Sequence, residues 1–243
     1  MKFTMEGYME LLNLLEKCGY KTTGYFNWQE YDRCVILRHD VDNDMQQALS
    51  MARVEYGCGI RSTYFVLLTS NFYNIHTCRN REMIKEIQNM GHTIGLHFDE
   101  AAYSEDAGNA GKIAPDIKRE LGMLSEALET EVTVFSYHRP TKEILDADIK
   151  IPGSINSYGN LFFRQFKYLS DSRMYWREPV SDIIRMGKYP RLHILTHPFW
   201  YREEEMEMKE ILAGFIGSAE RERYDSLKNN FRCLEEVLKW GEK

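Results

Sequence analysis

Asp40 and Asp42 close the run Val35-Ile36-Leu37-Arg38-His39-Asp40-Val41-Asp42-Asn43-Asp44, where a β-branched apolar stretch of the kind that forms a buried strand meets three carboxylates at alternate positions. Side chains on a strand alternate between faces, so Asp40 and Asp42 point the same way. Two carboxylates crowded at a strand end repel each other and raise at least one pKa, a strain that a cation or a shared proton relieves. The plainer alternative is a solvated acidic turn, and Asp44 suits that role as the N-cap of a helix opening at Met45-Gln46-Gln47-Ala48. A calcium loop is excluded, because Met45 stands where its obligatory Gly belongs and Met51 where its closing Glu belongs.

Imidazoles follow the same rule of position. His97 ends His92-Thr93-Ile94-Gly95-Leu96-His97, with Asp99 just beyond it; His138 ends Val132-Thr133-Val134-Phe135-Ser136-Tyr137-His138, with Arg139 next; His197 ends Leu192-His193-Ile194-Leu195-Thr196-His197. Carboxylate plus imidazole from separate segments is the donor set of metal-assisted hydrolysis. A divalent ion so held lowers the pKa of water towards ~7 and polarises a carbonyl, an unligated carboxylate takes a proton, and an imidazolium gives one. His39, His76, His92 and His193 are expected to be satisfied core histidines or surface ones.

The elements that must position these groups alternate. Helical spacing of apolar residues over 5–18, with Gly19 behind it, makes a packing helix. A polar loop rich in aromatics precedes the strand Cys34–His39, and a helix runs from about Asp44 to Tyr56. Strands are expected at Thr63–Leu68, His92–His97, Val132–His138 and Leu192–His197, with short ones at Ser154–Ser157 and Lys167–Ser170. Helices are expected at Arg81–Met90, Pro115–Leu128 and through most of 203–240, where Leu212, Phe215, Leu227, Phe231, Leu234 and Leu238 are the expected core contacts. Alternation of this kind argues for a parallel sheet, closed or doubly wound, whose carboxyl strand ends form one rim. One domain over 1–243 is the simpler reading.

Of 243 residues, 43% are hydrophobic and 28% charged, enough for a substantial core. A formal net charge of −6 and the lack of any Lys/Arg block argue against nucleic acid as a partner. Five scattered cysteines without a C-x-x-C pair read as reduced core thiols. The charged amphipathic start and the lack of a long apolar run make cytoplasmic residence the expectation, with no membrane span.

These motifs, in this order, resemble those of the NodB-type polysaccharide deacetylases, a carbohydrate esterase group folded as a distorted, incomplete (β/α) barrel; the similarity runs over about 33–200. Arg38-His39-Asp40-Val41-Asp42 is similar to the first motif, which implies a catalytic base at Asp40 and a metal ligand at Asp42. Gly91 to His97 is similar to the second, implying that His97 is a ligand. Tyr137-His138-Arg139-Pro140 resembles the third, whose Arg orients the base. Leu169-Ser170-Asp171-Ser172 with Trp176 resembles the fourth, and Leu195-Thr196-His197-Pro198 the last, whose histidine is the general acid. The resemblance implies a divalent metal, zinc above all, and an N-acetylated sugar of a surface polysaccharide or its precursor as substrate.

Two departures stand out. The second motif carries another ligating histidine four residues after the first, and that place is Ala101. His138, Asp99 and Glu100 are the candidates for a third ligand, with His138 preferred, since Asp42 and His97 alone bind an ion weakly. Val41 also separates the two Asp residues, which leaves an exchange of their roles open. The rival readings are a carbohydrate-binding protein that keeps the barrel without turnover, prompted by Ala101, and a metal-free glycosidase using Asp40 with Asp99 or Glu100.

Overall fold

The computed structural model describes residues 1–103 and 108–241, and the chain divides into two compact units, Met1–Glu203 and Glu204–Lys243. Every motif segment lies in the first. Its centre is strand β2 (Cys34–Val41), buried along its whole length, as its apolar sequence requires. One edge of β2 pairs with β1 (Lys21–Thr23) through Cys34 to Ile36 and then with β3 (Thr63–Val66) through Arg38 to Val41; β8 (Arg191–Thr196) pairs with it along Cys34 to His39. Beyond β3 lie β4 (Thr93–Phe98), β5 (Val134–Tyr137) and β6 (Ile155–Asn156); beyond β8 lies β7 (Lys167–Ser170), all in parallel register.

Helices follow the strands. α1 (Met5–Lys17) leads in, α2 (Met45–Gly57) follows β2, α3 (Cys78–Asn89) follows β3, α4 (Ala110–Leu128) follows β4, α5 (Lys142–Asp146) follows β5 and α6 (Val180–Met186) follows β7. Asp44 caps α2, its carboxylate accepting the N–H groups of Gln46 at 2.9 Å and Gln47 at 3.2 Å. Two large apolar layers lie between sheet and helices, one around Tyr64, Ile94, Leu96 and Phe135, the other around Val35, Leu37, Leu192 and Ile194. A third core fills the concave side of the sheet with Tyr25, Trp28, Ile36, Phe65, Val134, Phe162 and Phe166.

The sheet is an incomplete barrel. β6 stands four places from β2, which on a flat sheet is roughly 19 Å at ~4.8 Å per strand, far outside a side chain's reach. Yet Arg38 Nη1 on β2 donates to Ser157 Oγ, just past β6, at 2.8 Å, so the sheet curls round the third core. No ladder joins edges β6 and β7 among the described residues; side chains bridge them, with Tyr158 Oη 3.4 Å from Tyr168 Oη and Phe163 packed on Tyr168 at 4.9 Å between ring centroids. Gly95 on β4 makes room inside: a Cβ there would sit 2.5 Å from the Phe65 ring.

Several expectations change. α4 begins five residues before Pro115, because Asn109 caps it by accepting the N–H groups of Gly111 and Lys112. β1 lies in the stretch read as loop. Only Cys34 is a core thiol; Cys18 is half-buried and Cys58, Cys78 and Cys233 are exposed, all five free. In the second unit, α7 (Met208–Asn230) and α8 (Leu234–Val237) are helical as expected, but Leu212, Leu227, Phe231 and Leu238 are exposed rather than in a core. No helix among the described residues is long and apolar enough to cross a membrane.

Candidate functional site

Parallel strands all end on one rim, and β2, β4, β5 and β8 each carry a polar group there. Asp40 is on β2 and Asp42 one residue past its end; His97 is the fifth residue of β4; His138 follows β5, its N–H extending the ladder to Phe98 O at 2.7 Å; His197 follows β8. The curl turns these ends inward. His97 Nε2 lies 3.1 Å and His138 Nδ1 3.3 Å from Asp42 Oδ1, and the two rings meet edge to face at 5.2 Å.

Asp42, His97 and His138 offer one ligand atom each within 4.8 Å of one another, the one such cluster among the described residues. Asp42 Oδ1 is buried and has no hydrogen-bond partner among them, although two ring nitrogens stand beside it. A buried carboxylate oxygen without a well-aligned hydrogen bond is a position that a cation would complete. His97 fits a ligand in a further way: its Nδ1 is tied to Ser136 Oγ at 2.6 Å, which leaves Nε2 facing the cluster. These residues therefore suit a divalent ion, and a two-imidazole, one-carboxylate set suits zinc and its neighbours in the transition series.

The three candidates for a third donor differ in their surroundings. Asp99 caps the turn Glu100–Ala102 through the Ala101 N–H and pairs with Arg139; Glu100 is buried and accepts the N–H groups of Thr141 and Gly108. Neither joins the cluster, and His138 does.

Asp40 is buried in the barrel and faces the cluster, Oδ2 3.6 Å from His97 Nε2. Burial would raise its pKa, but the Arg38 guanidinium, with His97 and His197 behind it, holds the carboxyl below its usual range. Burial would also raise Asp42; the imidazoles of His138 and His97 hold it far lower. Arg139, expected to orient Asp40, is paired elsewhere. Arg139 lies exposed, with φ at 51°, on Asp99 Oδ2 at 3.2 Å, while Arg38 holds Asp40. The reason is the strand period: Arg38 shares a face with Asp40 two residues on, whereas Arg139 turns outward past the end of β5.

His197 Nε2 lies 3.9 Å from Asp42 Oδ2, and its Nδ1 lies 2.7 Å from Asp171 Oδ1. Asp171, fully buried, also accepts the His197 backbone N–H and the Tyr201 hydroxyl at 3.0 Å. Burial would lower the pKa of His197; Asp171, with Asp42 and Asp40, pushes it up to about 9. Asp171 and Arg38, whose motifs give them no task in the sequence, are the side chains that hold His197 and Asp40. The aromatic loop is mostly packing: Phe162 is core, whereas Tyr175 is exposed.

Three of the four histidines outside the site are buried and bonded elsewhere, and the fourth is exposed. His39 bonds Glu55 at 2.9 Å and Thr196, His92 bonds Ser62, and His193 bonds the Tyr25 hydroxyl at 2.8 Å, its pKa lowered to about 3 by burial and Arg38; His76 is exposed.

Fold and site together define an open parallel (β/α) barrel with an acid and imidazole centre on its carboxyl rim. No family profile matches the chain, and no curated protein matches it. Solved structures do, and they are of the NodB, carbohydrate esterase family 4 kind. IcaB from Ammonifex degensii is 19% identical, with 62% of this chain and 73% of that one covered at a TM-score of 0.44. The chitin deacetylase from the fungal pathogen Colletotrichum lindemuthianum is 15% identical, with 76% and 81% covered at 0.43. A CE4 family pseudoenzyme from Bacillus anthracis is 12% identical, with 79% and 62% covered at 0.42. At such distance the chemistry of this chain has to come from its own residues.

Proposed function

We propose that the protein is a metal-dependent hydrolase that removes the acetyl group from an N-acetylated sugar, in a surface polysaccharide or its precursor. The observation that carries this reading is the buried Asp42 Oδ1, without a hydrogen bond, between His97 and His138. These three residues would hold the ion, zinc by preference. When bound, a divalent ion supplies Lewis acidity, lowering the pKa of water and polarising the acyl carbonyl.

Asp40 and His197 flank the cluster and divide the proton work. Asp40, kept ionised, accepts a proton from the attacking water; the amide C–N bond breaks, and His197, kept charged by Asp171, delivers a proton from Nε2 to the departing nitrogen. Acetate and a free amine leave. The test is metal content and acetate release for Asp42→Ala and His97→Ala: both are expected to lose metal and activity, and unchanged activity in both overturns the reading.

A second reading is a barrel that binds sugar without turnover, favoured by Ala101 in place of the family's second histidine. It predicts no uptake of zinc, cobalt or nickel at micromolar concentration, whereas the first reading predicts uptake lost in His138→Ala.

A further inference from the structure

We propose that Arg38 is the positioning residue that aims Asp40, a task which the third-motif Arg139 does not perform in this chain; the inference rests on the function above, in which Asp40 accepts the proton. Arg38 is fully buried and all its nitrogens are engaged. Nε reaches Asp40 Oδ1 at 3.1 Å, and Nη2 reaches Oδ1 at 2.8 Å and Oδ2 at 2.6 Å. Nη1 donates to Ser157 Oγ at 2.8 Å, and the guanidinium carbon lies 4.9 Å from the Phe65 ring centre and 4.6 Å from that of Tyr158.

Each contact removes one freedom of the pair. Two aromatic faces fix the guanidinium plane, Ser157 fixes its rotation in that plane, and the forked contact fixes the carboxylate. Oδ1 then takes two of the Arg38 contacts and Oδ2 one, and Oδ2 is also the oxygen 3.6 Å from His97 Nε2. Because both residues stand on one face of β2, the backbone of a strand buried along its whole length sets their spacing. Ser157 comes from beyond β6, so the curl of the sheet is itself part of the aim. Without Arg38 the carboxylate would lose the fork that fixes its direction. A lysine ammonium cannot replace the fork, being a single point charge.

The experiment uses the full zinc-loaded chain with chitotetraose as probe, reading kcat and KM for acetate release, zinc affinity by calorimetry and folding by circular dichroism. Arg38→Lys is expected to fold, to keep KM and zinc affinity within about threefold, and to lose kcat by roughly 100-fold, the cost of an ångström-scale misplacement of a reacting group. Ser157→Ala, which removes only the Nη1 bond, is expected to lower kcat roughly 3- to 10-fold at constant KM, and decides the matter should Arg38→Lys fail to fold. A merely structural arginine would move stability and leave kcat of the folded fraction alone. Arg38→Lys with kcat near wild type, Ser157→Ala with kcat unchanged, or Arg139→Lys losing more kcat than Arg38→Lys each overturns the inference. Wild type that releases no acetate overturns the function reading and the inference with it; activity abolished by Asp42→Ala but kept by Arg38→Lys overturns the inference alone.

Discussion

Glu55→Gln is the perturbation whose cost the structure specifies best. Glu55 on α2 is fully buried behind β2, on the face opposite Asp40, and accepts from the hydroxyls of Tyr8 at 2.6 Å, Ser62 at 2.5 Å and Tyr64 at 2.7 Å, with His39 Nε2 at 2.9 Å. Burial would raise its pKa, and His39, His92 and Ser62 more than offset that, taking it to about 2 from an ordinary 4.5. A depression of that size amounts to about 3 kcal/mol at 1.36 kcal/mol per pH unit. The sign is that of a lowered carboxyl: the stabilisation is present above pH 4.5 and lost as pH falls through about 2. A Gln at this place also turns an N–H₂ towards donors, adding about 1–3 kcal/mol. Urea unfolding of the metal-free protein at pH 7 is therefore expected to show Glu55→Gln less stable by about 4–6 kcal/mol, with a melting point lower by roughly 8–24 °C, and the gap is expected to narrow towards pH 3. A gap under about 1 kcal/mol at pH 7, or one that widens with acid, refutes the reasoning that a single carboxylate ties α1, α2, β2 and β3 together.

Other outcomes are equally specific. In the metal-free protein His197 is expected to titrate near pH 9 by NMR; its raised pKa stabilises the fold fully below about 6.5 and less as pH rises through 9, and Asp171→Asn is expected to bring the titration well below 9. His138→Ala is expected to weaken zinc binding roughly 10- to 100-fold by calorimetry without unfolding the chain, since the residue ends a strand and lies partly exposed. Gly95→Ala drives a methyl into the Phe65 ring and is expected to cost about 1–3 kcal/mol in thermal unfolding, because no space receives it. Tyr201→Phe removes a donor to buried Asp171 and is expected to cost about 1–3 kcal/mol, read by urea unfolding.

Much of the sheet is legible in the chain because its strands are short apolar runs and its helices carry caps such as Asp44. The limits of β2, β7 and β8 come within two residues of those read from pattern, and α1 within one. α4 is less legible: a proline invites placement at a helix start, and Asn109 outbid it by bonding two free N–H groups. The C-terminal helices keep their apolar periodicity, but periodicity says which residues share a face and not what covers that face.

The site divides along the same line. Local order alone determines that Asp40 and Asp42 share a face and that His97, His138 and His197 stand at strand ends, since the two-residue period and the parallel rim follow from backbone geometry. Which donors meet, and which partner each keeps, is a matter of through-space distance that only the curled sheet sets: it brings Asp42 to 3.1 Å from His97, Arg38 to Ser157, and Asp171 to His197 across 26 positions of chain, while turning Arg139 away to Asp99. Covalent neighbours dictate orientation; closure of the barrel dictates company.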